Sequence, residues 1–93
     1  VKNEIYLDPK KIEGELTLRR WRIGDRIAPI GIKGTRLISD IISDAKLTAI
    51  QKKDVLVVHD KKHIHWCVNL CIGREAIASV NTQKIKARDF IIF

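Results

Sequence analysis

Apolar side chains recur at Leu37, Ile38, Ile41, Ile42 and Ala45, with Ser39, Asp40, Ser43 and Asp44 between them. That i, i+1, i+4, i+5, i+8 spacing lays one stripe along a helix and predicts an amphipathic helix over 35–46. Thr35, directly after Gly34, is its expected N-cap. A second, shorter helix is predicted over 48–53, where Thr48 and Gln51 stand at capping-box spacing. Residues 55–58 form an unbroken apolar run, the mark of a buried strand. Residues 63–68 alternate, which predicts a strand with Ile64, Trp66 and Val68 inward and His63, His65 and Cys67 outward. Residues 59–62 between them read as a hairpin loop.

Flanking these elements are shorter ones. Residues 3–8 read as an opening strand ended by Pro9, and residues 14–21 as a second strand leaving the core near Arg20. Gly24-Asp25 marks a turn, and Pro29, Gly31 and Gly34 punctuate the loop before the main helix. Strands about 76–80 and 84–93, joined through residues 81–83, close the chain. Two strands, two helices and four more strands predict one α+β domain. Its sheet is mostly antiparallel, with one principal amphipathic helix and a second short one against it.

Composition narrows the chemistry. Ninety-three residues suit one core, and an apolar share of 45% excludes disorder as the default. A net charge of +7 points toward a polyanionic partner. The excess is local: residues 10–36 carry eight basic against three acidic side chains, whereas residues 37–60 carry three against four. Arg19, Arg20, Trp21, Arg22, Arg26, Lys33, Arg36 and Lys46 are therefore the candidate nucleic-acid-binding residues. Arginine forks match phosphate oxygens, and an exposed tryptophan can stack on a base. The competing reading buries Trp21 in the core and pairs some arginines with Glu13, Glu15 and Asp25.

Other chemistries are weaker. His63, His65 and Cys67 at alternate positions, with His59 and Cys71 nearby, contain ligand types that suit zinc, but no C-x-x-C or H-x-x-x-H spacing accompanies them. The expectation is no metal. Asp40 and Asp44, one helical turn apart, read as ion-pair partners of Arg36 and Lys46. No phosphate-binding Walker loop, nucleophile elbow or metal triad occurs, so no catalytic residue is expected. No apolar run approaches the ~20 residues of a membrane span. Two cysteines and no secretory signal lead to the expectation of a reducing, cytoplasmic setting. A chain that starts at Val1 and contains no methionine is expected to be a piece of a longer protein.

The ordered series Leu16-Thr17-Leu18-Arg19, Trp21, Gly24-Asp25-Arg26, Pro29-Ile30-Gly31-Ile32-Lys33-Gly34, Arg36, Ile38-Ser39-Asp40, Asp44 and Lys46-Leu47 resembles a known module. It is similar to the C-terminal domain of bacterial tRNA(Ile)-lysidine synthetase. Residues 55–58, Ile64-His65-Trp66 and Asn81-Thr82 extend the likeness, which covers about 14–92. The family's hairpin continues into a Gly-x-Arg-Ile loop and a later Arg followed by an aromatic. Here Cys71 stands for one arginine and Glu75-Ala76 for the other pair, with Arg74 a small shift away.

The resemblance implies a parent ligase that uses ATP, with Mg, to join lysine to the wobble cytidine of an isoleucine tRNA. The ATP loop and catalytic carboxylates would lie in an N-terminal domain absent from residues 1–93, and no cofactor is expected in this part. Its implied role is accessory recognition of the tRNA acceptor region, with the tRNA and the catalytic domain as partners. The alternatives are a docking or homodimerisation domain without RNA contact, and a free-standing RNA- or metal-binding module.

Overall fold

The computed structural model describes residues 4–75 and 83–86. In chain order these form β1 (Glu4–Leu7), a 3-10 turn (Pro9–Lys11), β2 (Thr17–Arg20), β3 (Arg26–Ile27) and β4 (Arg36–Leu37). Then come α1 (Ile38–Asp44), α2 (Ala49–Lys53), β5 (Leu56–His59), β6 (Ile64–Cys67), β7 (Cys71–Ile72) and β8 (Gln83–Lys86). The expected strand at 76–80, the turn residues 81–82 and the part of the last strand beyond Lys86 lie outside the described residues.

The main sheet runs β2-β5-β6-β3-β4, with β7 also paired to β6. All its pairings are antiparallel except a short parallel contact, Ile27 opposite Ile64. β1 and β8 form a separate antiparallel pair, Glu4 opposite Lys86 through Leu7 opposite Gln83. The α+β architecture, mostly antiparallel with one principal helix, is the one the sequence predicts.

β6 is the spine of the sheet. β5 takes one of its edges, and β3 and β7 pair with it at Ile64 and at Trp66–Cys67 respectively. Two apolar clusters cover the sheet. One joins Ile38, Ile41 and Ile42 of α1 to Ile27, Val57 and Cys67; the other joins Ile5 and Leu7 to Val58 and Trp66. β6 is therefore buried along its length, and His65 and Cys67 are fully buried where an outward face was expected. Alternation separates core from solvent only when one face of a sheet is open, and here both are covered. His63, just before the strand, is exposed as expected.

The main helix is shorter than its apolar stripe. Arg36 and Leu37 pair with Ile27 and Arg26 as β4, and the helix begins at Ile38, whose amide donates to the Asp25 carbonyl at 2.8 Å. Leu37 occupies the N-cap without a side-chain cap, and the Thr35 hydroxyl instead accepts from Arg26 Nε at 2.8 Å. Ile38, Ile41 and Ile42 are buried as the stripe requires, whereas Ala45 is exposed. The Thr48–Gln51 capping box forms in full, each side chain accepting from the other residue's amide. No helix among the described residues is long and apolar enough to cross a membrane.

Candidate nucleic-acid interface

The basic segment begins on β2, which leads into a turn at Gly24, a glycine at φ +93°. Arg19 points at that turn. Its guanidinium makes a two-pronged bridge to Asp25, at 2.9 and 3.0 Å, and also donates to the Arg20 carbonyl. Asp25 further accepts from the Arg22 amide at 2.7 Å. Burial alone would raise the Asp25 pKa, but these donors and the charges of Arg19 and Arg22 hold it below its ordinary value. Arg19 thus fixes the turn, and its charge is largely consumed there.

The remaining candidates part company. Trp21 is half-buried against the α1 cluster, and its indole N–H donates to the Lys52 carbonyl at 2.8 Å. Arg20 is exposed beside Asp54, at a loose 3.4 Å. Arg22 and Arg26 are exposed. Arg36, on β4, pairs with Asp44 at the end of α1 at 2.6 Å, and Lys46 is exposed at φ +54° just past α1. Lys33 stands on the glycine loop. The eight residues, grouped by charge along the sequence, are divided between the turn, the α2 side, the glycine loop and the end of α1.

Two further basic groups enter through the fold, and counting charge along the chain finds neither. The first is the tip of the β5–β6 hairpin. A cleft of about 420 Å³ is lined by Arg19, Asp25 and Arg26 of the turn and by Lys61, Lys62 and His63 of the hairpin tip. Beneath the tip lies Asp60, almost fully buried, whose carboxylate accepts from His65 Nε2 (2.8 Å) and from the amides of Glu13, Lys62 and His63 (2.7–2.8 Å). Burial pushes its pKa up, but the His65 N–H and those amides outweigh this and hold it far below the ordinary carboxylate range. The second is Arg74. Its Nη1 donates to the carbonyls of Ile32 and Gly34 at 2.8 Å and, more weakly, of Pro29 at 3.4 Å. An arginine gathering carbonyls in this way has no sequence signature; the one signal at Arg74 is the departure from the family pattern at 69–76.

Among the described residues no group of three His, Cys, Asp or Glu side chains is placed to hold a metal ion. His65 is committed to Asp60, and His59 Nδ1 lies 2.8 Å from the Asp60 carbonyl. Cys67 and Cys71 are free, and burial raises both thiols, Cys67 to about 12. Thiols so shifted are protonated and poorly nucleophilic at neutral pH.

Curated relatives decide the resemblance. Over 86 residues, 92% of the chain, it is 39% identical to tRNA(Ile)-lysidine synthase of Parabacteroides distasonis, and over 80 residues it is 28% identical to that of Caldanaerobacter subterraneus subsp. tengcongensis. The chain resembles the C-terminal domain of tRNA(Ile)-lysidine synthase. Its fold agrees with a solved crystal structure of the TILS C-terminal domain at a TM-score of 0.76, with 22% identity over 91% of this chain and 71% of that one. The chain spans about a fifth of the length of the curated synthases it matches, 20% and 17% for these two. No family model matches it.

Proposed function

We propose that this chain is the accessory tRNA-recognition domain of a cytoplasmic tRNA(Ile)-lysidine synthase and meets the acceptor region of the isoleucine tRNA. In this reading a separate N-terminal domain of the same protein binds ATP and lysine and modifies the wobble cytidine, and residues 1–93 contribute no catalytic group. The observation that carries it is the set of exposed cations, Arg20, Arg22, Arg26 and Lys33, on a chain 39% identical to such a synthase. A-form RNA offers phosphates and sugar hydroxyls on a shape that basic side chains read without touching base edges. Arg19 and Trp21 serve this surface from behind, by fixing the turn and the end of β2. Arg36, bound to Asp44, and Lys46, just past α1, are the remaining candidates.

The test is binding of the 93-residue chain to an isoleucine tRNA transcript and to an acceptor-stem duplex, at two salt concentrations. A variant with Arg20, Arg22, Arg26 and Lys33 changed to Ala should lose at least tenfold in affinity and show a shallower salt dependence. Arg19 stays, because removing it would unpair Asp25. Modest affinity is expected for the untethered domain, since linkage to a catalytic domain supplies effective concentration.

The docking alternative has an observation of its own. Ile50 is 75% exposed beside a groove lined by Leu47, Val55, Leu56 and Leu70. Salt-insensitive association of this chain with the rest of the synthase, together with no RNA binding at low salt, would favour it.

A further inference from the structure

We infer that the cleft between the Gly24–Asp25 turn and the β5–β6 hairpin tip is a phosphodiester site, holding RNA backbone between Arg26 and the pair Lys61-Lys62. This rests on the reading of the domain as tRNA-binding, and it adds a wall that the basic segment 19–46 does not contain.

Three features converge on it. The first is a rigid platform. Asp60 gathers the amides of Lys62 and His63, and the Lys61 amide donates to the Glu13 carbonyl at 2.8 Å. Gly14, at φ +78°, lets that neighbouring chain turn beneath Lys61, where an added Cβ would lie 3.6 Å from the Lys61 Cβ. The backbone under the two lysines is thus held from two sides while both side chains are exposed. A platform fixed before binding loses less entropy when an anion arrives.

The second feature is how the lining carboxylates are disposed. Asp25 is bridged to Arg19, and Asp60 is buried with four donors around it. Glu75, half-buried, also lines the cleft. Lys62 meets Glu13 at 3.1 Å, but both side chains are more than half exposed. Such a surface pair is weak and can yield to a phosphate. The third feature is Arg26 itself. Its Nε is bound to a neutral hydroxyl, Thr35 Oγ1, which orients the guanidinium and leaves its charge undiminished. Cations brought to one cleft by two separate segments suit a chain of phosphates entering it, where each neutralised phosphate releases counterions.

The experiment follows backbone amide resonances of the 93-residue chain by NMR during titration with an acceptor-stem RNA duplex. Inorganic phosphate at matched ionic strength is titrated separately, and the Lys61→Ala/Lys62→Ala variant is measured alongside. RNA should shift amides of residues 24–27 and 59–63. The variant, with an unchanged spectrum elsewhere, should bind about tenfold more weakly. Its salt slope should flatten by nearly two, at about 0.9 for each phosphate that is no longer neutralised. Wild-type affinity in that variant, with shifts confined to residues 19–22 and 31–36, would overturn the cleft and leave the tRNA reading standing. Failure of the wild-type chain to bind RNA at low salt would overturn both. Equal shifts with inorganic phosphate, and no gain from the duplex, would make this a small-anion site and overturn the RNA assignment.

Discussion

Two loops lie on either side of Arg26, and they are held by opposite charges. Under the hairpin tip a buried carboxylate, Asp60, collects N–H groups; under the glycine loop a guanidinium, Arg74, collects carbonyls. The first arrangement consumes backbone donors and leaves the positive charge to side chains, Lys61 and Lys62. The second consumes backbone acceptors. Gly31 and Gly34, at φ +80° and +76°, flank Lys33 on that loop. The two anchors also differ in burial. Asp60 is 5% exposed, whereas Arg74 is half-buried. Burial makes the carboxylate anchor the more expensive to lose.

That contrast can be broken experimentally. Asp60→Ala should cost about 3 kcal/mol in chemical denaturation, because it strips a buried imidazole and three amides of their acceptor. A loss under about 1 kcal/mol would mean that water replaces the carboxylate and the platform is soft. A smaller effect should appear as acid is added. Asp60 and Asp25 both have lowered pKa values when folded, so the unfolded chain binds protons first. Their contribution is complete above the ordinary aspartate range, near pH 4, and is lost progressively as pH falls below it. Denaturation midpoints measured from pH 6 to pH 2 should fall in the wild type and fall less steeply in Asp60→Ala. Smallest is Arg74→Ala, at about 1 kcal/mol, since water can solvate the freed carbonyls. Its clearer signature is faster hydrogen exchange confined to 29–34. Protection there unchanged would show that pairing to β7, through the Ile30 amide and the Ile72 carbonyl, suffices to hold the loop.

The elements legible in the sequence are those with long-enough signals. The Thr48–Gln51 box and the buried run at 55–58 need only local chemistry, and the stripe at Ile38, Ile41 and Ile42 marks its helix. β3 and β4, at two residues each, are too short to display a period, and they exist because β6 offers an edge. They also explain why the apolar stripe overstates the helix: Arg36 and Leu37 are claimed by the sheet before the helix can use them. His65 defeats pattern reading for another reason, since a histidine at an alternating position resembles a solvent-facing one until its carboxylate is located. The candidate site is half legible. Charge counting along the chain points to Arg22, Arg26 and Lys33, which the fold leaves exposed. It credits Arg19 with a freedom that Asp25 removes, and it cannot show that the fold brings Lys61 and Lys62 to the same cleft as Arg26.

The pair β1–β8 also has a mechanical consequence. Glu4 and Lys86 are opposite one another at the same end of that ladder. Traction on the chain beyond these two residues would therefore load the ladder in the unzipping direction, one rung after another, and not in shear. Such a clasp yields at low force. In doing so it draws Ile5 and Leu7 off Val58 and Trp66, so tension entering through the ends would reach the second face of the main sheet before it reached the cleft.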